Sequence, residues 1–188
     1  KMDKRVWGKP GAKIGFVAAG KNWLDLVHAL SLLNIDASEA ERLGVTTYKV
    51  GQTWPLDTKT FNQWAEGLDV IVVIEEKRKL IEVQIKEALF DSRRDTRVFG
   101  ARKGASGEEL FAIHGALDPF LIAEKLGEIL IDENCATEAV NVGLAALRDS
   151  RRADNAQDLA ARLPYFCAGC PHNTSTKVPE GSRAYAGI

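Results

Sequence analysis

Short apolar runs alternate along this chain with longer stretches whose apolar positions recur at helical spacing, and that alternation predicts its elements. Lys13 to Ala19 is an apolar run bounded by Gly11 and Gly20 and reads as a buried strand. From Trp23 to Leu33 the residues Leu24, Val27, Ala29, Leu30 and Leu33 mark a helix face, with Asn34 as its stop. Ser38 and Glu41 make a capping-box pattern that opens a short helix ending at Gly44. Thr46 to Gly51 reads as a strand. Asp57 caps a helix that carries Phe61, Trp64 and Ala65 and closes at Gly67. Asp69 to Ile74 is the clearest strand. Its β-branched residues suit the middle of a parallel sheet covered on both faces. A helix follows from Lys79 to Phe90, then a short strand from Thr96 to Gly100 and a glycine- and charge-rich loop from Ala101 to Gly115. Asp118-Pro119 supplies a cap and a first-turn proline for a helix running to Ile131, and Thr137 to Leu147 forms another. The result is an α/β fold: an open, mainly parallel sheet with helices on both faces. The polar, alanine-rich stretch from Arg151 to Arg162 is a linker or an exposed helix, and a domain boundary falls near it.

Composition narrows the classes. The 188 residues are enough for one domain with a real core, or for one domain plus an extension. Charge is balanced, 25 basic residues against 26 acidic, and the basic runs Lys77-Arg78-Lys79, Arg93-Arg94 and Arg151-Arg152 each sit beside acids. They read as solvated surface, not a nucleic-acid footprint. No apolar run is long enough to span a bilayer, and the first residues lack a signal peptide's apolar core. The three cysteines are too few and too uneven for a disulfide framework, so a reducing cytoplasm is expected. The chain starts without methionine and stops soon after a motif opens, which reads as an internal piece of something longer.

That motif is Tyr165-Phe166-Cys167-Ala168-Gly169-Cys170-Pro171-His172-Asn173. Two thiols with two residues between them can face one metal centre, because the turn between them aims both sulfurs the same way. Three readings stay open on spacing alone: half of an iron–sulfur or zinc site, a thioredoxin-type redox pair, or two incidental cysteines. Cys135 and His172 are the nearby candidates for further ligands, and Cys135 lies in a different segment.

Elsewhere the chemistry is sparse. Gly20-Lys21-Asn22 links a strand to a helix and its amides could meet an anion, but no dinucleotide or Walker fingerprint is present. Glu75-Glu76 ends the clearest strand. These acids suit acid–base chemistry, helix capping or pairing with Lys77 and Arg78, and capping and pairing are the favoured readings. His28 is expected to pack within its helix, His114 to be exposed in its loop, and Trp54-Pro55-Leu56 to anchor a turn on the core.

Three segments carry a resemblance: Lys49-Val50-Gly51-Gln52-Thr53-Trp54-Pro55-Leu56, then Val72-Val73-Ile74-Glu75-Glu76-Lys77, and Cys167 through Ser175. Together and in this order they resemble the thiamine-diphosphate-dependent 2-oxoacid:ferredoxin oxidoreductases, in particular the indolepyruvate ferredoxin oxidoreductases of the long fused form. The resemblance covers nearly the whole chain. It implies that residues 1–150 are a middle domain similar to the transketolase C-terminal domain, used for assembly and for shaping the site. Residues 151–163 would be a linker, and 164–188 would begin the pyrophosphate-binding domain.

The implied reaction is oxidative decarboxylation of a 2-oxoacid with coenzyme A, giving an acyl-CoA, carbon dioxide and reduced ferredoxin. The implied cofactors are thiamine diphosphate, Mg2+ and a [4Fe–4S] cluster. Cys167 and Cys170 would be cluster ligands, Gly187 and Ile188 would edge the diphosphate site, and His172 could face the cofactor; the resemblance assigns no catalytic residue here. A homodimer is implied, and neither nucleic acid nor membrane is an expected partner. Since the Gly-Asp-Gly motif and the pyrimidine-domain glutamate are missing, these residues alone are expected to be inactive. Two rivals stand beside this reading: a thiamine enzyme of transketolase or dehydrogenase type without iron, and a non-catalytic assembly domain.

Overall fold

The apolar runs become the strands of one five-stranded sheet, ordered β1-β3-β2-β4-β5. The computed structural model describes residues 2–92, 95–104, 107–156, 166, 168–175 and 177–183, with 153–156 as backbone only. Strand β2 (Ile14–Ala19) lies at the centre, parallel to β3 (Val45–Val50) on one side and to β4 (Val70–Ile74) on the other. Strand β5 (Arg97–Phe99) extends the parallel run beyond β4. The two-residue β1 (Lys4–Arg5) closes the opposite edge antiparallel to β3 and had no signature in the sequence. Being short and charged, it carries no apolar alternation to betray it.

Alternation along the central strands divides the core into two layers. Ile14, Phe16 and Ala18 of β2, with Val70, Val72 and Ile74 of β4, face α1 (Gly20–Leu32), α5 (Pro119–Asp132) and α6 (Glu138–Ala156). Val17, Ile71 and Val73 face α3 (Thr58–Trp64) and α4 (Leu80–Asp91). Every residue of β4 is buried, as its β-branched run requires of a strand covered on both faces. The expected open, mainly parallel α/β sheet is therefore the fold. By contact the chain divides into two compact units, Lys1–Arg152 and Ala153–Ile188. Among the described residues no helix is long and apolar enough to cross a membrane.

Most caps follow the sequence. Asp57 accepts the amide of Thr60 at 3.0 Å, and Asp118 accepts that of Phe120 at 3.2 Å ahead of Pro119. Asn34 ends α1 and its turn in the left-handed region, at φ 57°. The cap of α2 (Ala37–Arg42) is a correction: Asp36, not Ser38, receives the Glu39 amide at 2.7 Å, so the helix starts one residue before Ser38. Glu39 instead binds Arg42 and the Thr137 hydroxyl. The helix predicted over Thr137 to Leu147 spans Glu138–Ala156, and beyond its apolar face Arg148 and Arg151 pair with Glu128 and Glu124 of α5.

Three packing expectations change. Leu24 points to solvent, 68 % exposed, while Trp23 and Leu26 take the inward positions beside Ala29 and Leu30. His28 is exposed, and its ring meets that of Phe120 in a T-shaped contact with centroids 6.2 Å apart. In the Trp54-Pro55-Leu56 turn the anchor is Leu56. Its amide is held by buried Gln84 at 2.8 Å, while Trp54 stays 67 % exposed.

Candidate functional site

The strand order creates a topological switch point. The chain leaves β2 through α1 toward β3 and leaves β4 through α4 toward β5, and these two helices pack on opposite faces. Ligands of open α/β sheets bind in the crevice at such a point, outside the carboxyl ends of the strands. Here those ends are Gly20-Lys21-Asn22 after β2 and Glu75-Glu76 after β4.

The chain's own backbone occupies the place between them. Glu76 Oε2 accepts the Leu117 amide at 3.0 Å, and Lys21 Nζ donates to the Leu117 carbonyl at 3.1 Å. Lys21 also pairs with Asp25 at 2.6 Å and lies 4.0 Å from Glu76. Both backbone polar groups of Leu117 are thus clasped by two strand-end side chains, and Leu117 itself is buried. The clasp fixes the end of the loop just before the Asp118 cap. The sequence contains Lys21 and Asp25 at helical spacing, but nothing in it signals that residues so distant as Glu76 and Leu117 meet.

Glu75 takes the other task. Its carboxylate accepts the amides of Ile81 at 2.9 Å and Glu82 at 3.3 Å, capping α4 from a distance where Lys79 offers no cap. Glu76 also lies 3.8 Å from Lys77, so of the two favoured roles Glu75 takes the capping and Glu76 the pairing. Burial pushes the Glu75 carboxyl above its ordinary range despite the amides it accepts. The Leu117 amide, then Lys21, Asn22 and Lys77, hold Glu76 below its ordinary value of 4.5.

The sign of each shift fixes a pH response. Glu76, with its lowered value, adds stability that is fully present above about pH 4.5 and is lost as the pH falls through its folded value. Glu75 acts in the opposite sense and gains as pH falls through its raised value. Glu76→Gln is therefore expected to cost roughly 1 kcal/mol at pH 7 and to flatten the acid side of the stability curve. Urea unfolding of both forms between pH 3 and 7 checks this; parallel curves would refute the clasp.

The second unit holds the cysteine motif. Cys170 follows a turn in which Gly169 takes the left-handed conformation, φ 79°, open to glycine without strain. Its thiol is free and half-buried, and its Sγ lies 3.2 Å from Nδ1 of His172. The His172 ring, at the start of α7 (His172–Ser175), stacks on Phe166 with centroids 5.2 Å apart and planes 26° from parallel. The sequence placed these three residues together in one motif without revealing the stack. Cys167, Gly187 and Ile188 lie outside the described residues. Cys135, half-buried, donates from its thiol to the Leu130 carbonyl at 3.3 Å, and burial raises its pKa above the ordinary thiol range. His114 is exposed, as expected. Among the described residues no group of three or more His, Cys, Asp or Glu side chains is arranged to hold a metal ion.

The two regions define an α/β domain whose switch point is filled by its own peptide, and a separate unit carrying a thiol–imidazole pair. Residues 4–154 match the model of the indolepyruvate oxidoreductase domain, and the chain belongs to that family. It is 23 % identical over 170 residues to the indolepyruvate oxidoreductase subunit IorA of Thermococcus kodakarensis, covering 90 % of this chain and 23 % of that protein. To the IorA subunit of Methanothermobacter marburgensis it is 24 % identical over 160 residues, covering 85 % and 21 %. The chain thus spans less than a quarter of the length of these curated relatives. Among solved structures, a 2-oxoglutarate:ferredoxin oxidoreductase from Magnetococcus marinus aligns at TM-score 0.45 and 14 % identity, over 69 % of this chain and 20 % of that one. A split-gene transketolase aligns at 0.44 and 13 %, over 68 % and 41 %.

Proposed function

We propose that this chain serves within a thiamine-diphosphate-dependent oxidoreductase that converts an arylpyruvate and coenzyme A to an acyl-CoA and carbon dioxide while reducing ferredoxin. The observation that carries the reading is the family match over residues 4–154, with the cysteine motif following it in sequence. Within that enzyme, residues 1–150 are an assembly and site-shaping domain of transketolase C-terminal type. Residues 164–188 open the pyrophosphate-binding domain. The filled switch point supports the first assignment, because the crevice where such a sheet would take a ligand already holds the Leu117 peptide.

Thiamine diphosphate with Mg2+ supplies, when bound, the carbanion chemistry that decarboxylates a 2-oxoacid, and a [4Fe–4S] cluster supplies one-electron transfer. This chain's residues would do the holding. Cys170 fits a cluster ligand: its thiol is free, half-buried and set beside an imidazole nitrogen at the end of a glycine turn. Cys167 would supply the second thiolate, and Gly187 and Ile188 the edge of the diphosphate site. Ligands beyond this pair would come from outside the chain, so residues 1–188 alone are expected to be inactive and to hold no stoichiometric cluster. The working assembly is proposed to be a cytoplasmic homodimer.

Product analysis of the oxidoreductase containing this chain, handled without oxygen, tests the reading. Coenzyme-A-dependent formation of an acyl-CoA from indolepyruvate, in preference to pyruvate and coupled to ferredoxin reduction, is the expected result. Turnover of pyruvate alone would change the substrate. Turnover of neither would refute the function.

A further inference from the structure

Cys170 Sγ and His172 Nδ1 lie 3.2 Å apart, within reach of a sulfur hydrogen bond, and Phe166 stacks against the imidazole that makes the contact. With a free thiol either atom can be the donor. Metal ligation removes that choice: a cysteine binds as thiolate, so its sulfur can then only accept. The contact survives only if Nδ1 carries the proton and points it at the sulfur. A hydrogen bond onto a ligand sulfur draws negative charge away from the metal centre and so favours its reduced form, which raises the potential. The stacked Phe166 ring restrains the imidazole in the plane that makes this possible.

We propose that His172 is a positioning residue that donates from Nδ1 to the Cys170 sulfur and thereby raises the potential of the cluster held there. This rests on the reading of Cys170 as a cluster ligand. His172 is neither a ligand nor a catalytic residue in this account.

The test uses the oxidoreductase containing this chain, purified without oxygen, as wild type, His172→Phe and His172→Asn. Phenylalanine keeps a ring to stack on Phe166 but has no N–H. Asparagine places an amide N–H where Nδ1 stood. Iron per chain is measured first, then the midpoint potential by EPR-monitored redox titration, with a search for an exchangeable deuteron coupled to the cluster in heavy water. The expected result is a potential shifted to more negative values in His172→Phe with loss of the deuteron coupling, and near-wild-type behaviour in His172→Asn. Iron lost from His172→Phe but kept in His172→Asn also supports the assignment. An unchanged potential in iron-replete His172→Phe overturns it, as does equal disturbance of both variants. Wild-type enzyme without iron overturns the cluster reading itself, and this assignment with it.

Discussion

Gly15→Val is expected to destabilise the chain by about 3 kcal/mol or more, through overpacking at the centre of the sheet. A single Cβ built on Gly15 would sit 2.5 Å from Cη2 of Trp64 and 2.7 Å from Cδ1 of Leu68. Real Cβ atoms do not approach that closely. Trp64 has no easy retreat, since its indole N–H donates to buried Thr46 Oγ1 at 3.1 Å and its ring packs against Tyr48, 4.9 Å between centroids. Strand propensity argues the other way, because valine suits a strand better than glycine, but by no more than about 1 kcal/mol. The clash wins. In a chain of this size the loss lowers the thermal midpoint by about 6–12 °C, measurable by circular dichroism. Trimming the obstacle supplies the control: Gly15→Ala combined with Trp64→Leu should be less destabilising than the sum of the two single changes. Strict additivity would mean that Trp64 is not what glycine makes room for.

Cys170→Ser is expected to lower 2-oxoacid-dependent reduction of ferredoxin or viologen by at least about 100-fold in the oxidoreductase containing this chain. Even groups that merely support a metal ligand typically change affinity or activity 10- to 100-fold, and Cys170 is proposed as the ligand itself. A serine hydroxyl remains protonated at neutral pH and is a poor partner for iron. The fold should not notice. Cys170 lies in the second compact unit, in a partly exposed turn, so the thermal midpoint of the first unit should stay within about 0.5 kcal/mol of wild type in free-energy terms. Lost reduction with an unchanged melt supports the redox role. Unchanged reduction would make the cysteine incidental.

Much of the fold was legible because its strands and helices differ in period. The run from Val70 to Ile74 is apolar at every position and could only lie between two helical layers, and that is where it lies. The cap at Asp57 and the Asp118-Pro119 start were equally plain, since a cap acts within one turn of chain. Features set by distant partners were not legible. Strand β1 exists because β3 offers it an edge, and its two charged residues show no pattern of their own. Ser38 looked like a cap, yet the helix opens earlier, with Asp36 accepting the Glu39 amide.

The candidate site divides in the same way. Cys170 and His172 are two residues apart, so their proximity was open to reading, although the Phe166 stack was not. The Glu76–Leu117–Lys21 clasp joins three segments far apart in sequence, and it emerges only once the sheet brings β2 and β4 side by side.

Cys167 and Cys170 are proposed as ligands of an iron–sulfur cluster in a thiamine-dependent oxidoreductase. Iron and acid-labile sulfide, quantified beside thiamine diphosphate in the oxidoreductase purified without oxygen, test this most directly. The account predicts a cubane's complement of iron and sulfide that Cys167→Ser or Cys170→Ser removes while thiamine stays bound. Thiamine at full occupancy with no iron, or iron undiminished in both variants, would contradict it.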